Sequence, residues 1–151
     1  MLGSAISPNS LLAALPAAVY AKLIPKFERF DLEFSEIVYD RGETFTHVYF
    51  IESGIVSLLV AADEHSTIEV GMVGSEGMVA LPVFLGVQVS RNRAVVQGTG
   101  RALRMKASEF ETECLAGADL SRIMRLFTYS MLMQVARSAV CNRFHSTDSR
   151  L

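Results

Sequence analysis

Two arginines flank an asparagine at Arg91-Asn92-Arg93, directly before an apolar segment that begins at Ala94. An arginine guanidinium presents a planar fork of N–H donors that suits a carboxylate or a phosphate. A small apolar helix bounded by glycines is predicted over 76–85, and a helix N-terminus offers unpaired N–H groups to an anion. Together these features predict an anion site. The alternative interpretation is that the arginines are exposed loop charges.

The other reactive residue types form no pattern typical of an enzyme. The three histidines, His47, His65 and His145, stand apart with no carboxylate at ligand spacing, and no Gly-x-Ser-x-Gly motif occurs. We therefore expect neither catalytic residues nor a metal site. The two cysteines, Cys114 and Cys141, do not form a Cys-x-x-Cys pair. We expect them to be small apolar side chains of a protein in the reducing cytoplasm.

The middle of the chain, from about 28 to 105, alternates apolar and polar residues as half-buried strands do. The residues predicted to face inward are Phe30, Leu32 and Phe34 in one strand and Ile68, Val70 and Met72 in another. Turn sequences recur at 40–43, 52–54, 62–66 and 98–100. Many short strands separated by regular turns predict an antiparallel sandwich or roll.

Helical spacing precedes this region. Ser7 to Ser10 supplies helix-starting residues, and Pro16 divides the apolar segment that follows. A proline inside one helix costs about 3 kcal/mol, so two short helices are predicted, with Pro16 opening the second. No basic residue precedes the segment, which is not typical of a secretory signal.

A long helix with two opposed apolar stripes is predicted over 119–144. One stripe contains Leu120, Met124, Phe127, Met131 and Val135, and the other contains Leu126, Tyr129, Met133, Val140 and Phe144. Because one globular body covers only one side of a helix, the other side needs a second surface, which a symmetric copy supplies. We predict a homodimer with Met124, Phe127, Met131 and Val135 at the interface, while the sequence leaves open which of the two stripes faces the partner. A helix wholly buried in a monomer is the alternative, and arginines between the stripes argue against a membrane span.

The composition is that of one globular domain. The chain has 151 residues, half of them hydrophobic, and a formal net charge of -2. Its basic residues are scattered, so no electropositive face for nucleic acid is predicted.

Two segments carry a resemblance to a known family. Gly42-Glu43 followed by His47–Leu58 resembles the signature of the cyclic-nucleotide-binding roll, and 70–86 is similar to the sensor domains of Crp/Fnr-type bacterial transcription regulators that lack the usual cyclic-nucleotide pattern. The segment 142–151 resembles the lead into their DNA-binding region. The resemblance implies a mainly β fold with flanking helices: an antiparallel β-roll over 1–118, then a dimerisation helix over 119–151. A helix-turn-helix domain for DNA would follow beyond this chain if it is part of a longer regulator, and a stand-alone sensor is the alternative.

The resemblance also implies a site. In cyclic-nucleotide binders of this fold, a Gly-Glu turn opens a helix that holds the phosphate, the Glu binds the ribose, and an arginine neutralises the phosphate. Met78 stands where that Glu would be, and its thioether cannot accept a strong hydrogen bond. Asn92 takes the place of the arginine. The expected effector site contains Gly77, Met78, Val79, Arg91, Asn92 and Arg93.

Three functions follow as hypotheses. The first is an effector-sensing and dimerising domain that controls an attached DNA-binding domain. The second is a receptor for cAMP or cGMP in the strict sense, although tight binding of cAMP is not expected. The third is an oligomerisation scaffold without a ligand. No cofactor is predicted beyond an unknown small-molecule or nucleotide effector, with a haem ligand at His47 or His65 left open by the resemblance.

Overall fold

The computed structural model describes the backbone of residues 7–149 and the side chains of residues 7–141. The helices are α1 (Ser10–Ala13), α2 (Ala17–Leu23), α3 (Ala107–Ala116) and α4 (Ala118–Ser149). The strands are β1 (Glu28–Leu32), β2 (Ile37–Tyr39), β3 (His47–Ala61), β4 (Thr67–Val73), β5 (Met78–Val79) and β6 (Arg93–Lys106). Short 3-10 helices cover Ile24–Lys26 and Leu81–Val83. The side chains of Phe144 and of the terminal segment that resembles the lead into a DNA-binding region lie outside the described residues.

The six strands pair in antiparallel fashion in the order β1-β6-β3-β4, with β2 on β6 and β5 on β3. The two longest strands, β3 and β6, form the centre of the sheet, from the pair His47 and Lys106 to the pair Leu59 and Arg93. The predicted antiparallel β-roll with flanking helices and a long C-terminal helix is confirmed.

The turns predicted at 52–54 and 98–100 are wrong, because β3 and β6 run through both. Gly54 has a φ of +91°, and a Cβ there would lie 2.5 Å from the Gly98 carbonyl oxygen. The register between the strands shifts repeatedly here, between Ile51 and Val56. Gly54 and Gly98 let the paired backbones of β3 and β6 approach closely and bend. Their presence therefore reflects close strand packing and not the chain reversals that the glycines suggest in the sequence.

The inward faces are partly as predicted. Leu32 is buried at 1% exposure, but Phe34 is 68% exposed because it lies beyond the end of β1. In β4 the predicted face is wrong, since Ile68 and Met72 are exposed while Gly71 and Val73 are buried. A register shift between Leu58 and Leu59 places the other side of β4 toward the core.

The two predicted N-terminal helices are confirmed, with Pro16 at the N-cap of α2. Asn9 caps α1, because its Oδ1 accepts from the backbone N–H groups of Leu11 and Leu12. Its Nδ2 donates to the carbonyls of Ile51, at 2.7 Å, and Gly77, at 2.8 Å. The N-terminal segment is therefore attached to the roll at a fully buried polar residue.

α4 starts on the roll and extends past it. Its first turns bury Leu120, Ile123, Met124 and Phe127 in the same core as the strands. Farther along, Gln134 Oε1 accepts a hydrogen bond of 2.9 Å from the backbone N–H of Met72, on the outermost strand of the sheet.

Candidate functional site

The turn expected to open a helix, Gly77-Met78-Val79, does not do so. Met78 and Val79 form β5 and pair with Phe50 and Tyr49 of β3. Both are buried at 1% exposure, so Met78 is a core residue. The helix predicted over 76–85 is a three-residue 3-10 helix that begins after Ala80, whose φ is +80°. The expectation of a helix N-terminus at Gly77 is therefore corrected.

Arg93 forms an ion pair with Asp40. Its Nε and Nη2 donate to the two carboxylate oxygens of Asp40, at 3.0 and 3.2 Å. The guanidinium, together with a hydrogen bond from the Arg41 backbone N–H, lowers the pKa of the Asp40 carboxyl from its ordinary value. The bidentate pair joins the end of β2 to the start of β6 and neutralises the charge of Arg93.

The loop that carries Asn92 is held by Ser90, which is 3% exposed. The Ser90 hydroxyl donates to the Asn92 carbonyl at 2.6 Å and accepts from the Asn92 backbone N–H at 3.2 Å. The Ser90 carbonyl accepts from the backbone N–H of Gly42 at 2.8 Å. The loops that carry Arg41 and Arg91 are therefore hydrogen-bonded neighbours.

The strand pairing separates the two halves of the expected effector site. Met78 pairs with Phe50 near the start of β3, whereas Arg93 pairs with Leu59 near its end. The arginines instead line an open cleft of about 460 Å³ at the tip of the β3–β4 hairpin, and Gly77, Met78 and Val79 are not among its lining residues. The cleft is lined by Asp40, Arg41, Leu59, Ala61, Asp63, Glu64, His65, Ser66, Thr67, Arg91, Asn92 and Arg93.

α4 presents the second candidate surface. Met124 and Phe127, predicted at a dimer interface, are buried at 0% and 6% exposure by their own chain, and Met131 is half-buried. These side chains are already covered, so that prediction is corrected, while Val135 is exposed. The opposite side of α4 carries a row of exposed apolar residues: Leu126, Tyr129, Leu132, Met133 and Val140.

Burial is the main cause of the pKa shifts of Cys114 and His47. Burial, followed by the charges of Glu113 and Glu111, raises the pKa of the half-buried Cys114 thiol to about 12. Burial and the nearby Arg104 guanidinium lower the pKa of His47. Within the described part of the chain, no group of three or more His, Cys, Asp or Glu side chains is placed to hold a metal ion. Among the described helices, none combines the length and the hydropathy of a transmembrane segment.

Sequence reasoning missed Asp40 as the partner of Arg93. The two residues are far apart in sequence. The sequence showed Asp40 only as an acidic residue of the predicted turn at 40–43, with nothing that indicated its partner. It also missed Gln134, whose bond to the backbone of Met72 depends on where α4 crosses the sheet edge. Asn9 was identified as part of a helix start but not as the donor to Ile51 and Gly77.

The fold defines the class of protein, an antiparallel β-roll followed by a long helix. The family model of the cyclic nucleotide-binding domain matches residues 30–116, more than half of the chain. The chain therefore belongs to the cyclic nucleotide-binding domain family. No curated protein sequence matches the chain.

Solved structures with the same fold include regulators. The c-di-GMP responsive global regulator CLP of Xanthomonas campestris has a TM-score of 0.69 and 16% identity, with 83% of this chain and 63% of that chain covered. The catabolite activator protein of Thermus thermophilus has a TM-score of 0.70 and 14% identity, with 91% and 64% covered. The sensor domain of the transcriptional regulator DNR of Pseudomonas aeruginosa has a TM-score of 0.65 and 13% identity, with 84% and 90% covered.

These likenesses concern the fold, and at that level they confirm the predicted resemblance to Crp/Fnr-type sensor domains. This chain spans less than two thirds of the first two proteins, at 63% and 64% of their lengths.

Proposed function

We propose that this chain is the sensing and dimerising part of a cytoplasmic transcription regulator without enzymatic activity, in which α4 pairs with α4 of a second copy. An attached DNA-binding domain would respond to changes in the arrangement of the helix pair. The observation that carries the proposal is the exposed apolar row on α4, opposite the residues that the roll buries.

The exposures on α4 support a partner on the outer side. Leu126 is 59%, Tyr129 63% and Leu132 64% exposed, whereas Met124 is fully buried. Apolar residues on adjacent turns of one exposed helix face indicate an interaction surface more strongly than scattered ones do. A symmetric dimer would match this face with itself, because a two-fold interface brings the same patch from both copies together.

The test is the mass of the chain in solution, measured by size-exclusion chromatography with light scattering. We expect a particle of twice the 16.6 kDa chain mass. Leu126→Glu and Leu132→Glu should each shift the chain toward the single-chain mass, because a buried unpaired carboxylate opposes association. Leu115→Glu is the matched control, since Leu115 lies in α3 and is 90% exposed. A single-chain mass for the unaltered protein at all concentrations would refute the proposal.

The sensing role is supported by the family and by the likeness in fold to CLP, a regulator that itself responds to c-di-GMP. Native mass spectrometry of the chain purified from its host separates an effector sensor from a scaffold without a ligand. A retained small molecule supports sensing. A dimer that retains no small molecule under gentle ionisation favours the scaffold.

A strict cAMP receptor is the second candidate, because the matching family is that of the cyclic nucleotide-binding domain. Two structural observations argue against a cAMP receptor. Met78 is buried in the core, and the guanidinium of Arg93 already donates to both carboxylate oxygens of Asp40. We expect no tight binding of cAMP in calorimetry, and a dissociation constant in the low micromolar range (about 1–10 µM) that is lost in Arg93→Ala would overturn that expectation.

A further inference from the structure

We propose that the cleft at the tip of the β3–β4 hairpin binds a small anion with a carboxylate or phosphate group, held between Arg41 and Arg91. The inference rests on the proposed sensing function for its biological role, and it names the chemical class of the effector. It places the ligand where the end of β3 and the start of β6 meet the tip of the β3–β4 hairpin, and not beside β5.

The two arginines stand on loops that are fixed next to each other. Gly42, which follows Arg41, donates its backbone N–H to the carbonyl of Ser90, which precedes Arg91, at 2.8 Å. The backbone N–H of Ser90 in turn donates to the Glu43 carbonyl at 2.9 Å. The Arg93–Asp40 pair closes the same corner. The spacing of the two loops is therefore set by several bonds and needs no ligand to form.

Three arginines and three carboxylates line the cleft, and the ion pair between Arg93 and Asp40 joins one of each. Arg93 is neutralised by Asp40, whereas Asp63 keeps its negative charge on the hairpin side of the cleft, where its carboxylate accepts the backbone N–H groups of His65 and Ser66, at 2.8 and 2.9 Å. Arg41 and Arg91 are both exposed, and neither forms an ion pair with a carboxylate among residues 7–141. Because both side chains line the same cleft, an anion bound there would be attracted by two positive charges.

The size of the cleft suits a small molecule. Its volume of about 460 Å³ falls within the usual range for ligand sites, and Leu59 and Ala61 are apolar residues of its lining. The exposed Glu64 lies on the hairpin side of the same cleft. It would repel a ligand with several negative charges, so a small anion is favoured over a polyanion such as nucleic acid.

The test is a titration of the whole chain with inorganic phosphate and, separately, with succinate, followed by backbone amide NMR shifts at low salt. We expect saturable shifts at Arg41, Gly42, Ser90 and Arg91 for at least one probe, and none at Gly77. The probe that binds more tightly distinguishes a phosphate ligand from a carboxylate ligand. No saturable shift with either probe, or shifts spread over the whole surface, overturns the inference.

The double variant Arg41→Gln/Arg91→Gln provides the second arm. Each lost charge-assisted hydrogen bond is worth about tenfold or more in affinity, so the double variant should lose binding by at least that factor. Arg101→Gln is the matched control, because Arg101 is an exposed arginine of β6 outside the cleft. Equal weakening by the control would indicate general charge attraction and refute the site. The mass of the chain, measured in parallel, reports on dimerisation separately.

Discussion

Phe127 of α4 lies directly against Gly77 in the turn before β5. A Cβ on Gly77 would lie 2.5 Å from Phe127 Cε1 and 2.6 Å from its Cζ, so only glycine fits with the ring in place. The Gly77 carbonyl accepts from Asn9 Nδ2 at 2.8 Å. The N-terminal segment, the turn before β5 and the long helix therefore meet at one backbone position.

Gly77→Ala should lower the free energy of unfolding by about 1–3 kcal/mol, because the added methyl group must displace a buried aromatic ring. Urea unfolding followed by circular dichroism measures the change. Gly117→Ala is the control, since the nearest atom to a Cβ there is the Glu113 carbonyl oxygen at 3.4 Å. If the two variants unfold at the same urea concentration, the close contact between Phe127 and Gly77 is not present in solution.

Asn9→Ala should also destabilise the fold, by about 1–3 kcal/mol. The substitution removes the N-cap of α1 and leaves the buried carbonyls of Ile51 and Gly77 without their donor. Asn9→Asp separates the two effects, because it keeps the capping oxygen and loses the donor. Thermal unfolding should rank both variants below the unaltered chain. A variant Asn9→Asp as stable as the original would show that the donated bonds contribute nothing.

The Cys114 thiol should be nearly inert toward alkylation. Its pKa of about 12, against an ordinary value of 9.0, lowers the thiolate fraction at pH 8, and the thiolate is the reactive form. We expect iodoacetamide to modify Cys114 roughly 10³-fold more slowly in the folded chain than in the urea-unfolded chain. Mass spectrometry of the peptides gives both rates, with the exposed Cys141 as the internal reference. Rates within tenfold of each other would contradict the raised pKa.

The sequence pattern was sufficient to predict those helices and strands that are determined by residues close together in the chain. Apolar alternation predicts strands, and Pro16 with the residues before Ser10 predicts two short helices, because capping and proline geometry act within one turn. The resemblance carried by His47–Leu58 correctly indicated the roll. The long helix was predicted because apolar residues recur on two of its sides over many turns.

The remaining features depend on contacts between distant segments. Gly54 indicates a turn by composition, yet it serves close approach to Gly98, a distinction that only the partner strand makes. Two apolar stripes on α4 are equivalent in sequence, and the roll decides which is buried. Arg93 looks available to a ligand until the fold brings Asp40 to its guanidinium. The local sequence therefore identified Arg91 and Arg93 as candidate site residues, but not that Arg93 pairs with Asp40 or that Arg41 lines the same cleft.

The Asp40–Arg93 pair predicts a stability contribution that depends on pH. Because the pKa of Asp40 is lowered in the folded chain, the contribution is present above the ordinary carboxyl pKa of about 4 and is lost as pH falls through the lower folded value. Both side chains are partly exposed, so it should amount to about 1 kcal/mol or less. Asp40→Asn should therefore be less stable than the original chain at pH 6, with the difference shrinking below pH 4. Urea unfolding at both pH values measures it, with the exposed Asp31→Asn as control. A difference that stays constant down to pH 2 would mean that the Asp40 charge does not stabilise the fold.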